Sequence, residues 1–315
     1  MVHQPAERSK TIKTVLDVLI VVAVAIATFA LFKLTTVKPE NQEVNNPDVI
    51  TKIPEPEDET ETESKLELQS VISMWRSGLP SGTNAGVIAY DLENERFIGE
   101  TNADERFLTA SLYKLFVVYE GYRRVEIGEW TYDDASYGGR TVGECLDLAI
   151  RESLSGCAEN ILYRIGAGNM DYIVQYNYGL ENTSVQELYT TARDTAKMLK
   201  IYFEHKDLSD ETFARILDSM FNQPTSDPDG NCDGACNWRM GTPSGFSVGN
   251  VYNKVGWNYD GAKWTIFNDA MMIEYPEKNR HFILVALTTN FPSTRDLTRL
   301  GELVDEALDA QIKLE

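Results

Sequence analysis

The sequence predicts an α+β fold, and three observations carry that expectation. A helical pattern and two strand-like segments open the folded part of the chain. A long block with helical periodicity follows, and three further strand-like runs and an amphipathic helix close it. The 315 residues, 43% of them apolar, suffice for a substantial core.

The elements follow in order. Leu66 to Trp75 has helical apolar spacing. Ala85 to Tyr90 and Arg96 to Gly99 read as strands joined through Glu93-Asn94-Glu95. Helical patterns cover Ser111 to Arg124, Thr141 to Ile150, Ala158 to Ile165 and Thr191 to Phe203. Past a stretch rich in Gly, Pro and Asp, strand signals return at Ser247 to Val255, Trp264 to Tyr275 and His281 to Thr289. Leu297 to Ile312 is the closing helix. If the five strands form one sheet, the helical block is an insertion and Ser111 lies at the junction, where clefts form.

Ahead of this part lie three segments of different character. Residues 1–14 carry Arg8, Lys10 and Lys13, and residues 15–34 are almost wholly apolar. The run Val15 to Phe32 would span about 27 Å as a helix, enough to cross a bilayer core. The basic residues before it favour a cytoplasmic N-terminus and an exported C-terminal bulk. Ala25-Ile26-Ala27 has the small-x-small pattern of a signal-peptide cleavage site, but the apolar run continues beyond it, which favours an uncleaved anchor. Residues 35–64, rich in Pro, Thr, Asn and acidic side chains, read as an extended, disordered tether to a domain at 65–315.

The formal net charge of −20 argues against a nucleic-acid partner. The three histidines, His3, His205 and His281, give a Ser-His-Asp triad few candidates. Lysine is the more available base for a serine nucleophile. The four cysteines, Cys145, Cys157, Cys232 and Cys236, permit three pairings, of which the local Cys145–Cys157 and Cys232–Cys236 are favoured. A zinc site at Cys232 and Cys236 lacks a nearby histidine. Asp229 to Gly234 matches the start of a calcium loop, but Met240 stands where the closing glutamate belongs. No metal or cofactor is expected.

Ser111-Leu112-Tyr113-Lys114 places a hydroxyl and an amine three residues apart at the start of a helix, on one face. The amine can serve as base for a hydroxyl that is otherwise a poor nucleophile. Ser153-Leu154-Ser155 follows in the helical block, and Lys254-Val255-Gly256 ends the first C-terminal strand. In order and spacing these resemble the Ser-x-x-Lys, Ser-Asp-Asn and Lys-Thr-Gly motifs of the penicillin-recognising serine enzymes, class A β-lactamases and related penicillin-binding proteins. Arg239-x-Gly241-x-Pro243-x-Gly245 and Val285-Ala286-Leu287-Thr288-Thr289 extend the resemblance, which covers about residues 65 to 313.

That resemblance implies a class A β-lactamase/transpeptidase-like fold: a five-stranded antiparallel sheet, flanking helices and an inserted helical subdomain. It implies Ser111 as the acylated nucleophile and Lys114 as its base. Ser153 would relay a proton to the leaving nitrogen, with Lys254 supplying positive potential. The backbone N–H groups of Ser111 and Trp257 would form the oxyanion hole. Ser155, Gly256 and Lys263 would line the substrate site, Lys263 standing where many relatives keep an arginine. The acyl donor would be a small-molecule β-lactam or a peptidoglycan stem peptide ending in D-Ala-D-Ala.

Three departures bear on these expectations. Leu154 and Ser155 replace Asp and Asn, and Val255 replaces a hydroxyl that helps hold the substrate carboxylate. Between Asn160 and Thr191 the chain is too short for the full Ω-loop that carries the deacylating glutamate of class A enzymes. Glu187, or Glu181, is the candidate base there. A β-lactamase, a slowly deacylating DD-peptidase or penicillin-binding protein, and a non-catalytic binder of cell-wall peptide or a partner all remain open at this point.

Overall fold

The computed structural model describes residues 59–223, 239, 241–259, 264–290 and 293–314. The expected anchor at 15–34, most of the acidic segment, Cys232, Cys236, Lys263 and the calcium-like loop lie outside the described residues. Among those described, no helix is long and apolar enough to cross a membrane.

Helix α1 runs Glu59–Ser77, β1 Asn84–Asp91 and β2 Arg96–Thr101. The helix begins earlier than the expected boundary at residue 65, so the end of the acidic segment is helical. Strands β5 (Asn250–Tyr259), β6 (Trp264–Tyr275) and β7 (Arg280–Thr289) complete one five-stranded sheet of order β2-β1-β7-β6-β5. Every neighbouring pair is antiparallel.

The strands are apolar on both sides because both sides are covered. In β7, Ile283, Val285 and Leu287 enter one core cluster, while Phe282, Leu284 and Ala286 enter the other. This period of two is the pleat of a strand buried on both faces. The second cluster is closed by Leu68 and Ile72 of α1 and by Leu297, Leu300 and Val304 of the closing helix, Thr294–Leu314.

The inserted block packs on the opposite face. Its helices are α2 (Tyr113–Glu126), α3 (Val142–Arg151), α4 (Ser155–Ile165), α5 (Ala167–Tyr172), α6 (Ala192–Glu204) and α7 (Asp210–Phe221), and the closing helix is α8. Local chemistry sets several starts. Thr141 and Glu144 form a reciprocal capping box on α3, and Thr191 and Ser209 cap α6 and α7 through their side chains. Fully buried Glu120 pins α2 to the chain beyond α5, accepting from Arg123, Arg124 and the Tyr178 hydroxyl.

Three features depart from the sequence-based expectations. Helix α7 occupies part of the span read as a Gly/Pro/Asp-rich connection, because its Ser209 cap and apolar Ile216 and Met220 suffice for an amphipathic helix. A two-stranded sheet, β3 (Arg106–Leu108) with β4 (Tyr189–Thr191), lies beside the junction; strands this short leave no periodic signal. Strand β5 continues past Gly256 to Tyr259, so Lys254-Val255-Gly256 sits within the strand rather than at its end. Trp257 holds the extension by stacking on Phe267 of β6, ring centroids 4.6 Å apart.

Cys145 of α3 and Cys157 of α4 are joined by a disulfide that closes a loop of sequence separation 12. Loop-closure entropy for such a span is about 3 kcal/mol. Replacing both cysteines by alanine is therefore expected to lower the unfolding free energy by about 2–3 kcal/mol. Urea denaturation under non-reducing conditions checks this; an unchanged midpoint would show that α3 and α4 are held by packing alone.

Candidate active site

The site is built where the insertion leaves the sheet. Ser111 lies on a 3-10 turn, Ala110–Leu112, and α2 begins two residues later at Tyr113. The helix expected from Ser111 is thus a tight turn feeding a helix, with Ser111 partly exposed and Lys114 fully buried.

Two non-glycine residues with positive φ flank the cluster: Ala110 at 43° and Ser153 at 55°. Each costs about 1–3 kcal/mol and persists only where surrounding contacts over-determine it. Those contacts are present. The Thr109 N–H donates to the Leu188 carbonyl at 2.8 Å, and Asn268 Nδ2 donates to the Leu108 and Thr109 carbonyls at 2.8 and 3.3 Å. Asn268 Oδ1 in turn accepts from the Thr288 N–H. Asn268 therefore ties β6, β7 and the turn bearing Ser111 together.

Gly256 stands opposite Asn268 in the β5–β6 register. A Cβ there would lie 2.2 Å from the Thr109 carbonyl oxygen and 2.9 Å from Leu112 N. Only a glycine lets the strand approach this close.

Lys114 Nζ lies 3.0 Å from Ser111 Oγ, 3.2 Å from Ser153 Oγ and 3.1 Å from Ser155 Oγ, and it donates to the Ser153 carbonyl. Lys254 Nζ lies 2.9 Å from Ser153 Oγ and donates to the Val255 carbonyl. The structure thus brings Ser111, Lys114, Ser153, Ser155 and Lys254 into one hydrogen-bonded chain from α2, the α3–α4 connection and β5. Ser155, first residue of α4, is exposed and completes the shell around the amine from the solvent side.

Two buried amines share one hydroxyl, and both are pushed toward neutrality. Burial lowers Lys114 from 10.5 to about 8, against a smaller opposing pull from Glu159. Burial, then the charge of Lys114, holds Lys254 well below the usual lysine range, with Asp269 opposing. Buried Asp269 is itself raised to about 7 by desolvation, while the Thr242 N–H and Lys254 act to lower it. Tyr113 is raised to about 12, by burial and then by the Glu159 charge.

The other expected residues fall as follows. Trp257 packs its ring into the cluster on the far face, and its neighbour Gly256 is the residue that lies against the Ser111 turn. Val255 is buried. Glu181 and Glu187 are exposed. Glu187 sits in a turn closed by mutual Ser184–Tyr189 backbone bonds and organised by Asp171, which accepts from Ser184 Oγ and the Val185 and Gln186 N–H groups. Asn268, Asp269 and Glu159 carry structure or charge at the site and were not anticipated. Of these only Glu159 had a readable signal, since it lies one helical turn after Ser155.

The sequence model of the beta-lactamase enzyme family matches residues 133–310, more than half of the chain. The chain belongs to this family. The matched span includes Ser153 and Lys254; Ser111 and Lys114 lie upstream and join them through the geometry above. Among solved structures, PBP-A superposes with a TM-score of 0.63 at 18% identity, covering 79% of this chain and 97% of that one. A variant of PBP-A, equally similar, was solved as an acyl-enzyme complex with penicillin G. A β-lactamase from Xanthomonas campestris pv. campestris gives a TM-score of 0.66 at 15% identity, covering 78% and 98%. A reconstructed ancestral class A β-lactamase gives 0.63 at 21% identity, covering 76% and 99%. At these identities the likeness is one of fold. No curated protein matches by sequence.

Gly256→Ala is expected to displace the turn bearing Ser111 and lower stability by about 1–3 kcal/mol, the usual cost of overpacking. Equilibrium denaturation measures it; stability equal to the parent would mean the turn yields freely.

Proposed function

We propose that the chain is a serine hydrolase acylated at Ser111 by β-lactams or by amides of the D-Ala-D-Ala type. One observation carries this reading: the Lys114 amine sits within hydrogen-bond reach of Ser111, Ser153 and Ser155 at once. Its pKa of about 8 leaves about a tenth of it neutral at pH 7, a workable base. Neutral Lys114 takes the Ser111 proton as Oγ attacks the acyl carbon. The backbone N–H groups of Ser111 and Trp257 receive the oxyanion. Ser153, between the two amines, passes a proton to the leaving nitrogen as the C–N bond breaks. Lys254 keeps that hydroxyl oriented.

The apolar run Val15 to Phe32, with basic residues before it, supports a single-pass anchor that holds the catalytic domain outside the cytoplasm. A peptidoglycan stem peptide is then within reach of the site. The compact Ser184–Tyr189 turn, in the place where a class A enzyme has its long loop, favours a second reading as a slowly deacylating DD-peptidase.

Incubation of the full-length chain with a fluorescent penicillin, followed by intact mass, is expected to show one covalent adduct that Ser111→Ala abolishes. An adduct that survives in Ser111→Ala, or none in the parent chain, overturns the acylation reading.

The acylation rate should follow the neutral form of Lys114. It is expected to fall about tenfold per pH unit below 8 and to level off above it. A profile flat between pH 6 and 9 would exclude Lys114 as the base.

A further inference from the structure

Three serine hydroxyls stand on the Lys114 amine, and acylation as set out above uses two of them. Ser111 Oγ attacks, and Ser153 Oγ, held between the two amines, carries a proton to the leaving nitrogen. Ser155 Oγ is left over. It lies 3.1 Å from Lys114 Nζ, against 3.0 Å for Ser111 Oγ, so one base is placed alike for two nucleophiles. Among the described residues no other hydrogen bond engages the Ser155 hydroxyl. The two serines differ in access: Ser111 is half-buried, whereas Ser155, at the start of α4, is exposed. A hydroxyl in contact with a partly neutral amine is an activated nucleophile. Because both oxygens touch the same nitrogen, an acyl group on Ser111 is presented to Ser155 across that amine.

We propose that Ser155 is a second acyl acceptor, which takes the acyl group from Ser111 by ester exchange. The inference rests on acylation at Ser111. Neutral Lys114 takes the Ser155 proton as Ser155 Oγ bonds to the acyl carbon. The tetrahedral intermediate collapses by breaking the bond between that carbon and Ser111 Oγ, and Lys114 returns the proton to the departing oxygen, 3.0 Å from the amine. One serine ester replaces another, so no further reactant is consumed and Lys114 ends in its starting form. Ser111 regains its hydroxyl, and the acyl group sits on an exposed residue that solvent water can reach. This gives the acyl group a way off Ser111 that makes no use of the Ser184–Tyr189 turn.

Transfer leaves the mass of the adduct unchanged and moves its position, so position is the readout. The full-length chain is labelled with a fluorescent penicillin, quenched in acid over a time course, reduced and digested with trypsin. Cleavage after Arg106, Lys114, Arg151 and Arg164 puts Ser111 in fragment 107–114 and Ser155 in fragment 152–164. The label is expected first on 107–114, and then to decline there as it rises at Ser155, assigned by fragmentation. In Ser155→Ala it should stay on 107–114 at every time, whatever the acylation rate of that variant. Ser155→Thr, which keeps the hydroxyl, should restore part of the transfer. The parent time course decides even where the alanine variant fails to fold. Label that never leaves 107–114 before it is lost overturns the proposal while acylation at Ser111 stands. Label on Ser153, transfer that persists in Ser155→Ala, or equal transfer in a sample held unfolded after the earliest quench overturns it as well. A parent that forms no adduct removes both.

Discussion

A lysine amine buried among serine hydroxyls, with no carboxylate among the described residues hydrogen-bonded to it, is the constraint on which the rest depends. Its pKa falls from 10.5 to about 8, a penalty on the charged form of about 3 kcal/mol. A folded-state pKa below that of the unfolded chain means that the unfolded chain binds more protons between about 8 and 10.5. Stability contributed by this group therefore rises with pH across that window, and the full penalty is carried below it. The same burial leaves part of the amine neutral near pH 7. The second buried amine, Lys254, deepens the effect through like-charge repulsion.

Holding that amine requires three elements distant in sequence to converge within hydrogen-bond distance. The sheet supplies Lys254 and the bare backbone of Gly256. The connection between α3 and α4 supplies Ser153 in a strained conformation, and α4 supplies Ser155. Asn268 fastens the turn bearing Ser111 to the middle of the sheet, so a residue remote in sequence fixes where the Ser111 hydroxyl sits. The Cys145–Cys157 disulfide spans the connection in which Ser153 lies.

Much of this was legible in the chain. The ordered motifs at Ser111, Ser153 and Lys254 marked the converging residues, and the period-2 and helical patterns marked the elements that bring them together. What escaped had physical reasons. Strands β3 and β4 are too short for periodicity, and α7 lay in a span dominated by turn-forming residues. Asn268 and Asp269 look like polar interruptions of a strand, because their partners are set by register and not by spacing. Glu187 drew notice through local similarity, whereas the charge relation of Glu159 to Lys114 exists only once α4 is packed against α2.

The pairing of β1 with β7 joins Asn84 to Thr289, and Lys254 reaches Ser153 across 101 positions. Contacts so distant form late, since loop closure must precede the contacts that stabilise it. A nascent chain that has delivered only Ser111 and Lys114 holds an ordinary solvated lysine and an inert hydroxyl. The buried, partly neutral amine exists only once β5 closes over it. The last strands to emerge therefore complete the cluster around Ser111.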